Sequence, residues 1–222
     1  QQLLHWVRGT VVRIRTQGGI IHPWLSKYIE NDGNRYFIWG GRDRAKGMPA
    51  FPSGRPAPAF PRVGGRPVKY ELFDSVSSPM SWYAWWAGRV LGVSGSEGGR
   101  LAVALLRHLE EEGSLRSFTT KSGATVYGFE PSQIVLTRSD ESELESGLVA
   151  LECELCRSVT PVAPKVAETM LGAPCSSLRC AGTLRAKPLT DNFYRQMYTG
   201  SPMRRVISRE HTGLLDDELR LK

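Results

Sequence analysis

Four cysteines, the only ones in 222 residues, constrain this chain more than any other feature. They fall as two close pairs, Cys153-Glu-Leu-Cys156 and Cys175-Ser-Ser-Leu-Arg-Cys180, with eighteen residues between them. That spacing lets two tight turns offer four thiolates to one tetrahedral ion. The rival readings are two disulfides, a redox Cys-x-x-Cys pair, or four unrelated buried thiols. Disulfides need an oxidising compartment, and nothing here resembles a signal peptide, so the expected location is cytoplasmic. A redox pair leaves the second cysteine pair unexplained. The favoured reading is a structural Zn2+ held by Cys153, Cys156, Cys175 and Cys180. Protein sulfur then fills all four positions, and none is left for an activated water. Such sites supply on the order of 10–16 kcal/mol, so the metal would be much of the fold of a module at 148–190.

The net charge of +7 is unevenly spread. Residues 1–66 carry eleven Lys/Arg against three Asp/Glu, whereas residues 67–222 carry eighteen against nineteen. A polyanion, DNA or RNA, is therefore expected to meet the N-terminal third. From Gly40 to Pro67, six prolines interleave with six cations. Proline at this density keeps the chain out of helix and sheet and gives an extended basic strap. Arg42, Arg44, Arg55 and Arg62 are its candidate phosphate contacts, with Phe51 and Phe60 as anchors. The competing reading is a strap that only packs one part of the molecule on another. No apolar run reaches membrane-spanning length, and no membrane partner is expected.

The spacing of Leu4, Val7, Val11 and Ile14 suits a helix, although the β-branched run Thr10–Ile14 also allows a strand. Gly18-Gly19 ends the element in either case. His22-Pro23-Trp24 opens a short helix through Tyr28. Asp32-Gly33-Asn34 is a turn, and Arg35–Trp39 alternates as a strand would. Ser81–Leu91 holds a tryptophan stripe that reads as core and not as a base-stacking platform. Gly99–Gly113 is an amphipathic helix on Leu101, Leu105, Leu106 and Leu109, stopped by Gly113. Leu115–Thr120 and Ala124–Phe129 form a hairpin about Lys121-Ser-Gly123, and Ile134–Thr137 closes the unit as a strand. Two helices and a hairpin in this order match a winged helix at 76–138. Its candidate contacts are Arg107, Arg116, Lys121 and Arg138, a weak DNA signal. Residues 139–147 read as an acidic linker, and 1–75 as a separate basic region.

The segment Arg204-Arg-Val-Ile-Ser-Arg-Glu210-His211-Thr212-Gly213-Leu-Leu, followed by Asp216-Asp217 and Arg220, resembles the opening of the second RecA-like domain in a group of DEAD/DEAH-box superfamily 2 helicases. The four-cysteine element and winged-helix-like stretch upstream resemble the insertion between that group's two motor domains. The phrases Gly18-Gly-Ile-Ile-His22-Pro23-Trp24 and Met48-Pro-Ala-Phe51-Pro-Ser-Gly-Arg55 are similar to parts of the same insertion. The resemblance implies that 191–222 starts a RecA-like α/β domain. It gives Glu210, His211, Thr212 and Gly213 a role in the motor, near nucleic acid or the domain interface, with Thr212 as a phosphate contact. It also makes flanking RecA-like motor domains partners of this region.

No Gly-x-x-x-x-Gly-Lys-Ser/Thr loop and no Asp-Glu-x-Asp/His box occurs in these 222 residues. ATP hydrolysis needs both, so ATP and Mg2+ are expected only in a longer parent protein. The start at Gln1 and a helix-like end at Lys222 fit a piece of such a parent. The expected fold is thus α+β and multi-module: a winged-helix-like domain, a small four-cysteine zinc module, and the start of a RecA-like domain. The expected function is an accessory region of an ATP-dependent DNA helicase or translocase. Its rivals are a non-enzymatic zinc-containing winged-helix DNA-binding module and a protein-interaction scaffold.

Overall fold

In a computed structural model, residues 1–39, 44–50, 56–68, 72–135, 142–143 and 148–187 are described. Helix α1 spans Gln2–Thr16, so the β-branched run at Thr10–Ile14 is helical. Thr10 is accommodated because its hydroxyl donates to the Trp6 carbonyl one turn back. The helix closes with Gly18 at φ 76°. Gly19 N–H returns to the Ile14 carbonyl and Gly18 N–H to that of Arg15, the paired bonds of a Schellman end.

A 3₁₀ turn at Pro23–Leu25 leads into α2, Ser26–Glu30. His22 Nδ1 accepts the Trp24 N–H and so caps the start. The strand expected at Arg35–Trp39 is instead a single helical turn, α3, Tyr36–Trp39. Asn34 Oδ1 accepts the Tyr36 N–H and nucleates that turn, a local bond that outweighs four residues of alternation.

Strand β1, Pro61–Gly64, lies inside the proline-rich stretch, against the expectation that proline density excludes sheet there. Proline is tolerated there because it stands first in the strand. β1 pairs in parallel with the short β2, Asp74–Ser75, and antiparallel with β4, Ala124–Gly128. β4 pairs in turn with β3, Arg116–Thr119, through the expected hairpin, giving the sheet order β2-β1-β4-β3. The third main strand therefore comes from before the helices. Ile134 and Val135 lie outside any strand, and 136–137 outside the described residues.

Between β2 and β3 run α4, Trp82–Leu91, and α5, Gly95–Glu111. Serine hydroxyls cap both, Ser81 for Ala84 N–H and Ser94 for Glu97 N–H. α5 begins one turn earlier than Gly99, at the Ser94 cap, and Gly98 lies at the α4 crossing, where a Cβ would be 2.8 Å from the Ala84 carbonyl oxygen.

The tryptophan stripe is core, as expected. Trp82, Tyr83, Trp86 and Val90 pack with Leu105, Leu106, Leu115 and Tyr127, and also with Trp6 and Ile14 of α1. Trp86 Nε1 donates to the Trp6 carbonyl. At Gly9 of α1 a Cβ would sit 2.3 Å from the Trp86 ring, so only glycine permits this crossing. A second core gathers Tyr28, Ile29, Ile38, Phe60, Phe73 and Val126. The division drawn at residue 75 consequently cuts through both cores, and 1–75 packs with 76–135 as one body.

The last described part, 148–187, is a sheet of order β6-β5-β7 with one helix. β5 is Ala150–Cys153, β6 Val159–Pro161, α6 Pro164–Met170 and β7 Leu184–Ala186. The linker at 139–147 lies outside the described residues apart from Ser142 and Glu143, and 188–222 lies wholly outside them. No helix among the described residues is long and apolar enough to cross a membrane.

Candidate metal centre

The first cysteine pair sits where β5 turns into β6, and the second on the loop from α6 to β7. Cys153 ends β5, and the Arg157 N–H returns to its carbonyl, closing the first turn. Arg157 then takes φ 60° to redirect the chain, a left-handed position usually held by Gly or Asn. In the second loop Arg179 does the same at φ 62°, immediately before Cys180. Cys175 N–H donates to the Gly182 carbonyl, which ties the two ends of that loop together.

The result is one cluster. All four Sγ atoms lie within 4.8 Å of one another, with Cys153–Cys180 at 3.6 Å and Cys156–Cys175 at 3.7 Å. A tetrahedral ion with sulfur at roughly 2.3 Å requires sulfur–sulfur separations of about 3.8 Å, so the cage has the right size. The same separations are far beyond a disulfide bond of about 2.05 Å. Four soft thiolate donors suit a soft or borderline metal and not magnesium or calcium. The four-cysteine group can therefore hold one metal ion.

The surroundings favour thiolate on one side and oppose it on the other. Hydrogen bonds from the Ser158 hydroxyl and backbone hold the Cys156 thiol down to about 5, with a smaller contribution from Ser177. Burial pushes Cys153 up to about 11, and a cation in the cage would reverse that preference. Backbone N–H groups of Ser177 and Gly182 each lie 3.4 Å from a sulfur, those of Cys175 and Cys180 respectively. Gly182 also makes room: a Cβ there would fall 2.6 Å from Cys153 Sγ. Ser158, Ser177 and Gly182 did not figure in the sequence reading. Their signal was present, since each stands two residues beyond a cysteine.

Among the described residues, the two candidate cations of the basic strap differ in exposure. Arg44 is exposed, whereas Arg62 is buried, its Nη2 donating to the Arg66 carbonyl at 2.7 Å. Arg62 is a structural cation of β1, not a surface contact, because the strand turns it inward beside Ser122. Arg42, Arg55, Glu210, His211, Thr212, Gly213 and Phe51 lie outside the described residues, as does Arg138. Phe60 is fully buried and anchors its segment as expected. In the hairpin, Arg116 pairs with Glu130, and Lys121 with Glu30 and Asn31. The turn itself is held from below by buried Asp32, which accepts from the Thr120 hydroxyl and from the Ser122 hydroxyl and N–H. No protein-family model, curated protein or solved structure matches this chain.

Proposed function

We propose that this chain is an accessory region of an ATP-dependent nucleic-acid helicase or translocase. In this reading it lies between two RecA-like motor domains, guides DNA or RNA, and carries one structural zinc. The observation that carries the reading is the order α1, α2, α3, β1, β2, α4, α5, β3, β4, in which α4 and α5 precede the β3–β4 hairpin and β1 lies beside β4, together with a four-cysteine centre. Helix, strand, two helices and a hairpin closed by the earlier strand is the order of a winged helix. The Glu210-His211-Thr212-Gly213 resemblance supplies the link to a motor. The metal proposed is zinc, since four cysteines with no open position joining two loops form the usual structural zinc site; an all-cysteine iron site has the same ligands, and metal analysis separates the two.

A winged helix that reads DNA alone draws less support. Its hairpin cations are already paired, and the exposed face of α5 mixes Arg100 and Arg107 with Glu97 and Glu111. Two measurements test the proposal. Metal analysis of the purified chain should give one zinc, and iron in its place would sink the zinc assignment. The parent protein should hydrolyse ATP in a nucleic-acid-dependent manner while the 222-residue chain hydrolyses none. A parent without nucleic-acid-stimulated ATPase activity defeats the helicase reading.

A further inference from the structure

Helix α4 touches the second cysteine loop at two points, and both have the same construction. Trp82 Nε1 donates to the Ser176 carbonyl at 2.9 Å, and the N–H of that same peptide unit, on Ser177, points to Cys175 Sγ at 3.4 Å. Arg89 Nη2 donates to the Ala181 carbonyl at 2.8 Å, and the N–H of that peptide unit, on Gly182, points to Cys180 Sγ at 3.4 Å. Trp82 and Arg89 are seven residues apart, two turns along one face of α4. Each relay runs from a side-chain donor, through one peptide group, to one metal-binding sulfur.

We propose that Trp82 and Arg89 are positioning residues of the metal centre, acting on Cys175 and Cys180 through these two peptide units. A donor on a carbonyl polarises the peptide and strengthens its N–H as a donor at the other end. The thiolates gain by that and are also aimed. Metal ligands depend on such outer partners for orientation and basicity. The inference rests on the metal reading above but not on the helicase reading. It also explains how the metal module keeps its register on the helical layer. A cavity of about 240 Å³ lies between α1 and this module, lined by Val7, Val11, Trp86, Leu151, Val166 and Met170. Apolar packing along that face is thus incomplete. Polar contacts set the register instead: these two and the His5 Nε2 bond to the Thr169 carbonyl.

By linkage, residues that stabilise the bound thiolates raise metal affinity, and loss of the metal weakens the docking at Trp82; where uptake is unchanged, lower affinity is read as faster release. The test uses the whole chain loaded with Co2+. Two readouts apply: the rate of metal loss to excess chelator, and the energy of the thiolate-to-cobalt absorption band. Arg89 is exposed, so Arg89→Ala leaves the core intact; Trp82→Phe keeps an aromatic ring there but removes the N–H donor together with part of the buried indole. Each should release metal about tenfold faster and shift the band, and Arg89→Lys should recover part of the loss. Arg185→Ala is the control, because Arg185 pairs with Glu152 in the same module but lies on neither relay. It should change neither readout. Release at the parent rate in both Arg89→Ala and Trp82→Phe overturns the proposal, as does equal acceleration by Arg185→Ala. A chain that takes up no cobalt overturns the metal reading itself.

Discussion

The helical layer and the metal module are held together in opposite ways. The first buries tryptophan, tyrosine, leucine and isoleucine from α1, α4, α5 and the hairpin in one contiguous core. In the second, the large buried aliphatic side chains are Leu151, Met170 and Leu184, and two of the remaining core positions are Cys153 and Cys175. Three such side chains contribute roughly 5–9 kcal/mol, at about 1.5–3 kcal/mol each. That is a small core for roughly forty residues, and a four-thiolate metal would add on the order of 10–16 kcal/mol. In one region stability is spread over many contacts; in the other a bound metal would concentrate it at a point.

The largest effect should follow from removing that point. Cys156→Ser, or chelation of the native chain, should abolish amide protection through 148–187, with an apparent loss on the order of 10 kcal/mol of metal binding energy. Hydrogen exchange read segment by segment checks it. The core of α4 and α5 should stay protected, while the α4 face that carries Trp82 and Arg89 loses its partners. Retained protection in the module would show that its small core suffices, and the contrast between the regions would then fail.

Within the helical body, Asp32→Ala should come next. It strips three donors of a common buried acceptor, and the expected loss is about 2–4 kcal/mol in denaturant unfolding. Metal content should be unchanged, since Asp32 serves the hairpin and not the cage. Gly9→Ala should be smaller. Alanine gains about 1 kcal/mol of helix propensity. The added methyl nonetheless collides with a buried Trp86, and the net should be destabilising by about 1–3 kcal/mol. A stabilised Gly9→Ala protein would mean that α1 and α4 can separate at little cost.

The smallest effects belong to the surface charges. Each phosphate neutralised adds roughly 0.7–0.9 to the salt slope of nucleic-acid binding. Arg44→Ala should therefore flatten the slope by up to about one unit, provided that Arg44 meets phosphate. Joint replacement of Arg116 and Lys121 should change it less, because both are already paired. Oligonucleotide titrations at several salt concentrations decide between them. A dominant contribution from the hairpin pair would move the nucleic-acid contact to the wing.

Local chemistry made much of this legible in advance. The spacing of four cysteines announced a cage, tryptophans at helical spacing announced a buried face, and Gly18-Gly19, Pro23 and Gly113 marked element ends. These are signals carried by residues a few positions apart. The failures also have particular causes. Arg35–Trp39 became a helical turn because one Asn34 bond outweighed four residues of alternation. Arg62 was read from charge alone, and the composition of a proline-rich stretch obscured the strand that turns it inward.

By itself, then, the sequence determined the four-cysteine cluster, the helices α4 and α5, and the hairpin, since each depends on short-range spacing and capping. Only the tertiary structure decided that β1 completes the hairpin's sheet, that α1 shares a core with α4 across Gly9 and Trp86, and that Asp32 holds a turn some ninety residues away. It alone places Trp82 and Arg89 behind the sulfurs of Cys175 and Cys180. Those pairings bring together groups far apart along the chain, and local preference carries no information about which distant partner will satisfy a given donor or fill a given gap.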